Sequence, residues 1–338
     1  PNLKETRTVR IFTTNYCPLN CTFCSSTNFL DKAGGSPNKK FAGNRKEVVG
    51  GSNKTKLAGL SPQSIVNVIL NAVQGHPTTK NIFINDDDFI LQKKKVRDFC
   101  DILIESREKG EIPEDMTLMC LSRIDDIEDK TLKKMSEASF RMIGFGVESF
   151  SQKILKDLNK GIEVDLIHKV ISSVIENNIT PYMNVILFPP SATIEDVLIT
   201  MENSVDYIEK DVQVAIEPFL LPLMGAAITH EGYEIVYDYI PVPFTDKELK
   251  FGTMILPKDE VVRNLTVNFK DHYHVCLKTL TEKYKIEHTP AKFRSLVSFY
   301  TTYSLIGDRD TELNRIEDLI LKKFSNLHSD EVDWAKAL

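Results

Sequence analysis

Three cysteines, Cys17, Cys21 and Cys24, fall within eight residues in the segment Asn15-Tyr16-Cys17-Pro18-Leu19-Asn20-Cys21-Thr22-Phe23-Cys24. Thiolates at a C-x3-C-x2-C spacing can converge on one inorganic centre inside a tight loop. A structural zinc ion takes four protein ligands, and no fourth Cys or His lies nearby, so a distant one would have to complete such a site. A four-iron cluster is also held by thiolates. Three of them would leave one iron open to an outside ligand. The remaining cysteines, Cys100, Cys120 and Cys276, are scattered. Secreted disulfide domains are small and cysteine-dense, whereas this chain has six cysteines in 338 residues, which points to a reduced, cytoplasmic setting. There, a tight cysteine cluster serves metal or redox chemistry.

Further polar groups gather where apolar runs end. Asp86, Asp87 and Asp88 follow Ile82-Phe83-Ile84-Asn85. Three adjacent carboxylates repel one another, so they either form a solvated cap on the next helix or bind an ammonium group. Gly144-Phe145-Gly146-Val147-Glu148-Ser149 closes another run. Its glycines allow a ligand close to the backbone, and Glu148 can accept ribose hydroxyl hydrogens; the alternative is a plain turn with Ser149 capping a helix. Asn184, inside a further apolar run, is a polar contact for an otherwise apolar interior. Cys100 and Cys120 lie on apolar faces and read as core. His272 and His274 flank Tyr273, and alternate residues on a helix do not share a face, so a surface or capping role is expected of them. Phe299, Tyr300 and Tyr303 read as helical core.

These groups need elements to position them. Short runs rich in Val, Ile, Phe and Met predict strands at 8–14, 80–85, 116–121, 141–148, 182–188 and 213–217. Helical patterns fall between them at 61–73, 93–109, 129–138, 151–158, 164–177 and 193–209. The first opens with Ser61-Pro62, a cap followed by proline at the first helical position. Strand and helix alternate about six times, as in a parallel sheet covered by helices. The expected fold class is α/β, a partial (β/α)6 TIM-like barrel over 1–221 with a mostly helical C-terminal region over 222–338. In that second region, strand-like pieces at 233–240 and 251–256 precede a helical tail from Lys258. In strand-helix barrels the active site lies on the loops that follow the strands, which is where the cysteines and carboxylates fall.

Composition narrows the function classes. With 42 Lys and Arg against 48 Asp and Glu, the net charge of -6 argues against a broad basic surface for nucleic acid. No apolar run reaches the roughly 18 residues of a spanning helix, and no secretory segment is expected at the start of the chain. Residues 31–57 are an exception to the acidic balance. They hold five of the 15 glycines and seven Lys or Arg against two acids. This is either a solvated loop or a basic lid suited to a phosphorylated small-molecule substrate.

The loop Cys17-x3-Cys21-x-Phe23-Cys24, placed after the first strand, resembles the signature of radical S-adenosylmethionine (radical SAM) enzymes. The resemblance covers roughly 10–222. It implies that Cys17, Cys21 and Cys24 hold a [4Fe-4S] cluster and that Phe23 lies beside the adenine of S-adenosylmethionine. It also implies that Asp86 or Asp87 contacts the methionine amino group and that Glu148 contacts ribose or methionine. Leu121-Ser122-Arg123-Ile124-Asp125 is similar to the family too, and Arg123 would pair with the methionine carboxylate, unless it makes only a surface salt bridge. An acid run in place of the family's Gly-Gly-Glu is similar to the cobalamin-binding branch. Cobalamin normally occupies a domain before the barrel, and this chain starts about seven residues before its first strand, so that domain is expected to be absent here. The resemblance further implies a flavodoxin- or ferredoxin-type electron donor. The chain departs from the family after the fifth strand, where Leu187-Phe188-Pro189-Pro190-Ser191-Ala192-Thr193 replaces a glycine-containing turn. Sulfur insertion of the methylthiotransferase type, and a metal-stabilised binding module without catalysis, are the alternative readings.

Overall fold

The structure is a computed structural model that describes residues 7–14, 17–19, 21–26, 58–223, 225–287 and 289–324. The basic segment 31–57 lies outside the described residues, as does the tail beyond Phe324.

Six strands form one sheet in the order β1-β2-β3-β4-β5-β6. They are β1 (Thr8–Ile11), β2 (Asn81–Ile84), β3 (Thr117–Ser122), β4 (Phe140–Glu148), β5 (Thr180–Phe188) and β6 (Gln213–Phe219). The pairs β1–β2, β2–β3 and β3–β4 are parallel, in registers such as Val9 to Ile82 and Cys120 to Ile143. Between them run α1 (Pro62–Gly75), α2 (Lys93–Glu108), α3 (Asp129–Glu137), α4 (Gln152–Asp157), α5 (Val164–Glu176) and α6 (Ile194–Glu209). This is the (β/α)6 order expected from the alternation. The C-terminal region adds a two-stranded antiparallel hairpin, β7 (Ile235–Pro241) and β8 (Glu248–Ile255), and three helices. These are α7 (Glu260–Tyr284), α8 (Ala291–Ile306) and α9 (Asp310–Phe324). Among the described residues no helix is long and apolar enough to cross a membrane.

Local chemistry explains the boundaries. Ser61 caps α1 by accepting from the Ser64 amide at 3.1 Å, with Pro62 at the first helical position. Thr193 and Asp196 form a reciprocal capping box at the start of α6. Asp259 caps α7 by accepting from the Val262 amide at 3.0 Å. β1 is shorter than the apolar run suggests, because beyond Ile11 the chain leaves the ladder: the Thr13 amide donates to a side chain, and Thr14 bridges to Gly59.

The chain gathers into two compact units, one of residues 1–21, 26–147 and 160–182, the other of residues 22–25, 148–159 and 183–338. In the first, Phe89, Phe99 and Phe140 form a buried aromatic trio with ring centroids 5.9 to 6.4 Å apart. Cys100 and Cys120 are core residues, and burial pushes both thiols up, which leaves them protonated and inert. In the second unit, Phe188, Phe219, Phe269 and Tyr273 form a chain of ring contacts between 5.4 and 6.4 Å. His272 and His274 are exposed on α7 and bond backbone oxygens one turn earlier. Phe299 and Tyr303 are buried in α8, and Tyr300 donates to Glu317 at 3.0 Å.

Truncating Phe99 removes the ring that meets both partners edge-on. Phe99→Ala should cost about 3–5 kcal/mol in denaturant unfolding; a loss under about 1 kcal/mol would mean the trio does not carry the packing of its unit.

Candidate functional site

The first compact unit brings the ends of β1, β2 and β3 together through side-chain bonds from the acid run. Asp86, only 2% exposed, accepts from the Thr13 amide at 2.6 Å, from the Thr14 amide at 3.2 Å and from the Thr13 hydroxyl. Its carboxylate therefore fastens the segment that leads from β1 into the cysteine loop. Asp87 is exposed and accepts from the Ser26 hydroxyl, just past that loop. Asp88 is buried and turns the other way, accepting from the Ser122 hydroxyl at 2.9 Å and the Arg123 amide at 3.3 Å. The three acids are thus neither a solvated cap nor a single binding group. Each goes to a different partner, because successive residues leaving a strand point in different directions.

The second oxygen of Asp88 meets no donor among the described residues. Its neighbour is the buried carboxyl of Asp126, in the helical turn Ile124–Asp126 after β3. Burial, and after it the neighbouring Asp126 carboxyl, raise the Asp88 pKa to about 8. A cavity of about 10 Å3, room for one water, is lined by Asp88 together with Thr13, Thr14, Gln92 and Lys95.

Arg123 is not on the surface, as a plain salt bridge would have it; its side chain is buried. Nε donates to Asp125 at 3.0 Å, Nη2 donates to the Lys160 carbonyl, and Nη1 donates to the sulfur of Cys21 at 3.5 Å. Burial alone would weaken its charge, but Asp125, Cys21 and Asp88 outweigh this and hold the guanidinium firmly protonated. Cys21 is buried, and Cys17 and Cys24 are partly so; none is in a disulfide. Burial first, and then the charges of Asp88 and Cys21, push the Cys17 thiol to about 12 despite a compensating bond at Leu19.

In the second unit, the Thr22 amide donates to the Leu158 carbonyl at 3.1 Å, and the Ile228 amide donates to the Thr22 carbonyl at 2.9 Å. The Thr22 hydroxyl is buried without a hydrogen-bond partner among the described residues. Glu148 ends β4 in the left-handed region, at φ 66°. A non-glycine residue there is strained, which is common where function dictates the backbone. Ser149 is not the helix cap. Ser151 caps α4, accepting from the Ile154 amide, while Ser149 accepts from the Ser151 amide and pairs with the Thr200 hydroxyl at 2.9 Å. Asn184 is half-buried in β5. After β5, the glycine-free loop is closed by a bond from the Ala192 amide to the Pro189 carbonyl. Lys153 braces it by donating to the Ser191 carbonyl at 2.9 Å and to Asp196 at 2.8 Å.

Gly144 shows why glycine is needed on β4. A Cβ there would lie 2.6 Å from the Leu121 side chain, across the β3–β4 ladder, so the close approach is to a neighbouring strand. Sequence reasoning assigned Asp88 and Asp125 no separate role, and it left Thr13, Asp126 and Lys160 out altogether. The available signal for Asp126 was its place beside Asp125, just past Arg123-Ile124.

By residue type and spacing the donors suit an iron–sulfur cluster: three cysteines outside any disulfide at C-x3-C-x2-C, with a guanidinium on the sulfur of Cys21. Among the described residues no three acids, histidines or cysteines are gathered closely enough for a single metal ion.

A group whose pKa rises on folding stabilises fully below its unfolded value, and that stability is lost as pH climbs through the folded value. Asp88, raised to about 8, should therefore make the wild type lose stability between about pH 4 and 8. Asp88→Asn keeps an acceptor for Ser122 and Arg123 and gains a donor for Asp126, so its denaturation profile should be flatter across that range. An equally steep profile would remove Asp88 as the cause.

The model of the radical SAM superfamily matches residues 11–203. The chain is 21% identical over 317 residues to a bacteriochlorophyllide d C-8(2)-methyltransferase of Chlorobaculum tepidum, covering 83% of this chain and 64% of that protein. Its fold is similar to that of the cobalamin-dependent S-adenosylmethionine radical enzyme OxsB, with a TM-score of 0.58 and 15% identity over 92% of this chain and 49% of the other. It also resembles the radical S-adenosylmethionine methyltransferase TsrM from Kitasatospora setae, with a TM-score of 0.51 and 14% identity over 72% of this chain and 43% of the other. The chain thus spans about two thirds or less of the length of these relatives. With more than half of its length matched by the family model, and its cysteine loop directly after the first strand, the chain belongs to the radical SAM superfamily.

Proposed function

We propose that the protein cleaves S-adenosylmethionine reductively and applies the resulting radical to a carbon of a small-molecule substrate, in a cobalamin-linked reaction of the methyl-transfer or oxidative-rearrangement type. One observation carries this reading: three reduced cysteines at C-x3-C-x2-C spacing, with a buried guanidinium on the sulfur of Cys21. When bound, a [4Fe-4S] cluster supplies one electron to the sulfonium of S-adenosylmethionine, giving methionine and a 5'-deoxyadenosyl radical that takes hydrogen from the substrate. Support for the methyl-transfer branch is the likeness to two methyltransferases, and support for cobalamin is the likeness to OxsB.

In this reading Cys17, Cys21 and Cys24 are the ligands, and Phe23 lies beside the adenine. Between the two candidate acids, Asp87 is the contact for the methionine amino group. It is exposed, whereas both oxygens of Asp86 are committed to Thr13 and Thr14. Asp86 instead holds the root of the cysteine loop in place. Glu148, at its strained strand end, accepts from the ribose hydroxyls, and Asn184 offers a further polar contact. The electron comes from a flavodoxin- or ferredoxin-type donor. The basic residues of 31–57 favour a phosphorylated substrate, whose binding should then weaken as salt rises.

Two experiments test the reading. Anaerobic reconstitution with iron and sulfide should give a brown protein that releases 5'-deoxyadenosine under reduction, and Cys17→Ala, Cys21→Ala or Cys24→Ala should each abolish release. Continued cleavage in any of them would overturn the ligand assignment. Asp87→Asn should weaken S-adenosylmethionine binding at near-wild-type thermal stability, while Asp86→Ala should cost roughly 1–3 kcal/mol of stability through its orphaned donors. Affinity lost with Asp86→Asn alone would move the contact to Asp86.

A further inference from the structure

Arg123 is a buried cation for which family resemblance suggests a ligand-facing task, yet its bonds go elsewhere. Nε and Nη2 are fixed by Asp125 and the Lys160 carbonyl, so the plane of the guanidinium is set by the protein. The backbone beneath is set as well, since the Arg123 amide and the Ser122 hydroxyl both donate to the buried Asp88 carboxyl. With the fork held on two sides, Nη1 points at the sulfur of Cys21, 3.5 Å away. Every one of these groups belongs to the same compact unit.

From this geometry we infer that Arg123 is a positioning residue of the iron–sulfur site, one that donates a hydrogen bond to the Cys21 sulfur and sets how readily the cluster accepts its electron. The inference rests on the cluster assignment made above. Hydrogen bonds to cluster sulfurs and nearby charge are recognised controls on reduction potential. A fixed positive charge stabilises the reduced, more negative form of the cluster, so Arg123 makes reduction easier. Asp125 opposes it: the carboxylate that orients the guanidinium also offsets part of its charge.

The test uses the full chain reconstituted anaerobically, with iron and sulfide content measured and the potential followed by electron paramagnetic resonance during a redox titration. Arg123→Gln should shift the midpoint to more negative values, by roughly a tenfold change in the reduced-to-oxidised ratio at fixed potential, about 59 mV for one electron. Asp125→Asn, which unmasks the cation, should shift it the opposite way. A purely structural role would move both variants in one direction or neither, and either result overturns the inference. If Arg123→Gln does not load a cluster, Asp125→Asn decides alone, and an unchanged or more negative midpoint overturns it. An Arg123→Gln variant with weaker S-adenosylmethionine binding at an unchanged midpoint would also overturn it, in favour of a carboxylate contact. Should the wild type itself load no cluster, the proposed function fails first; a wild type that loads one and cleaves S-adenosylmethionine isolates the failure to this inference.

Discussion

The buried face of a strand excludes charge, so buried polar chemistry gathers at strand ends, and this constraint governs the arrangement around the cysteine loop. β2 and β3 bury every second side chain, and those buried positions are apolar apart from Ser122 at the end of β3. Buried charge appears just past the ends of these two strands. Asp86 follows β2 and at once satisfies two amides and a hydroxyl at the end of β1. Asp88 reaches in the other direction, to Ser122 and Arg123 at the end of β3. A short acid run thereby fixes three consecutive strand ends, and the cysteine loop grows from the first of them.

The same constraint makes the electrostatics consequential. Close to this loop, Arg123 is buried among carboxylates, and removing one partner of such a set leaves an uncompensated charge. The arrangement avoids that cost in two ways. Burial beside Asp126 raises the Asp88 pKa to about 8, so this acid need not carry a full charge there. Arg123 distributes its donors over a carboxylate, a carbonyl and a sulfur, so that its charge is partnered on several sides. Elsewhere, Lys153 and Asp196 brace a proline-containing loop where glycines would otherwise set the turn. Different residues thus meet the same need for a rigid strand-to-helix connection.

Much of this was legible from the chain alone. The alternation of apolar runs with helical patterns located all six strands of the sheet and the helices between them, because period and punctuation are local properties. It missed only ends, as at β1, where Thr13 turns to Asp86 instead of the ladder. Residue types also marked Arg123 and Glu148, but not what they touch. Ser149 looked like a cap from its place before α4, yet Ser151 takes that role because Ser149 is drawn to Thr200. That choice depends on Thr200 in α6, 51 residues away in the chain, and no local pattern contains it.

The sequence by itself determined the chemistry on offer: three thiols at a spacing that fits one cluster, carboxylates at strand ends and an alternating α/β order. These follow from side-chain type and from distances along the chain, which folding does not change. Tertiary structure decided the division of labour among those groups. Asp86, Asp87 and Asp88 are chemically identical neighbours, but one fastens the end of β1, one stays exposed and one is buried against the end of β3, because each meets a different segment. Arg123 faces a cysteine sulfur for the same reason: 102 residues separate them in sequence, and only the parallel packing of β1 to β3 brings them within 3.5 Å.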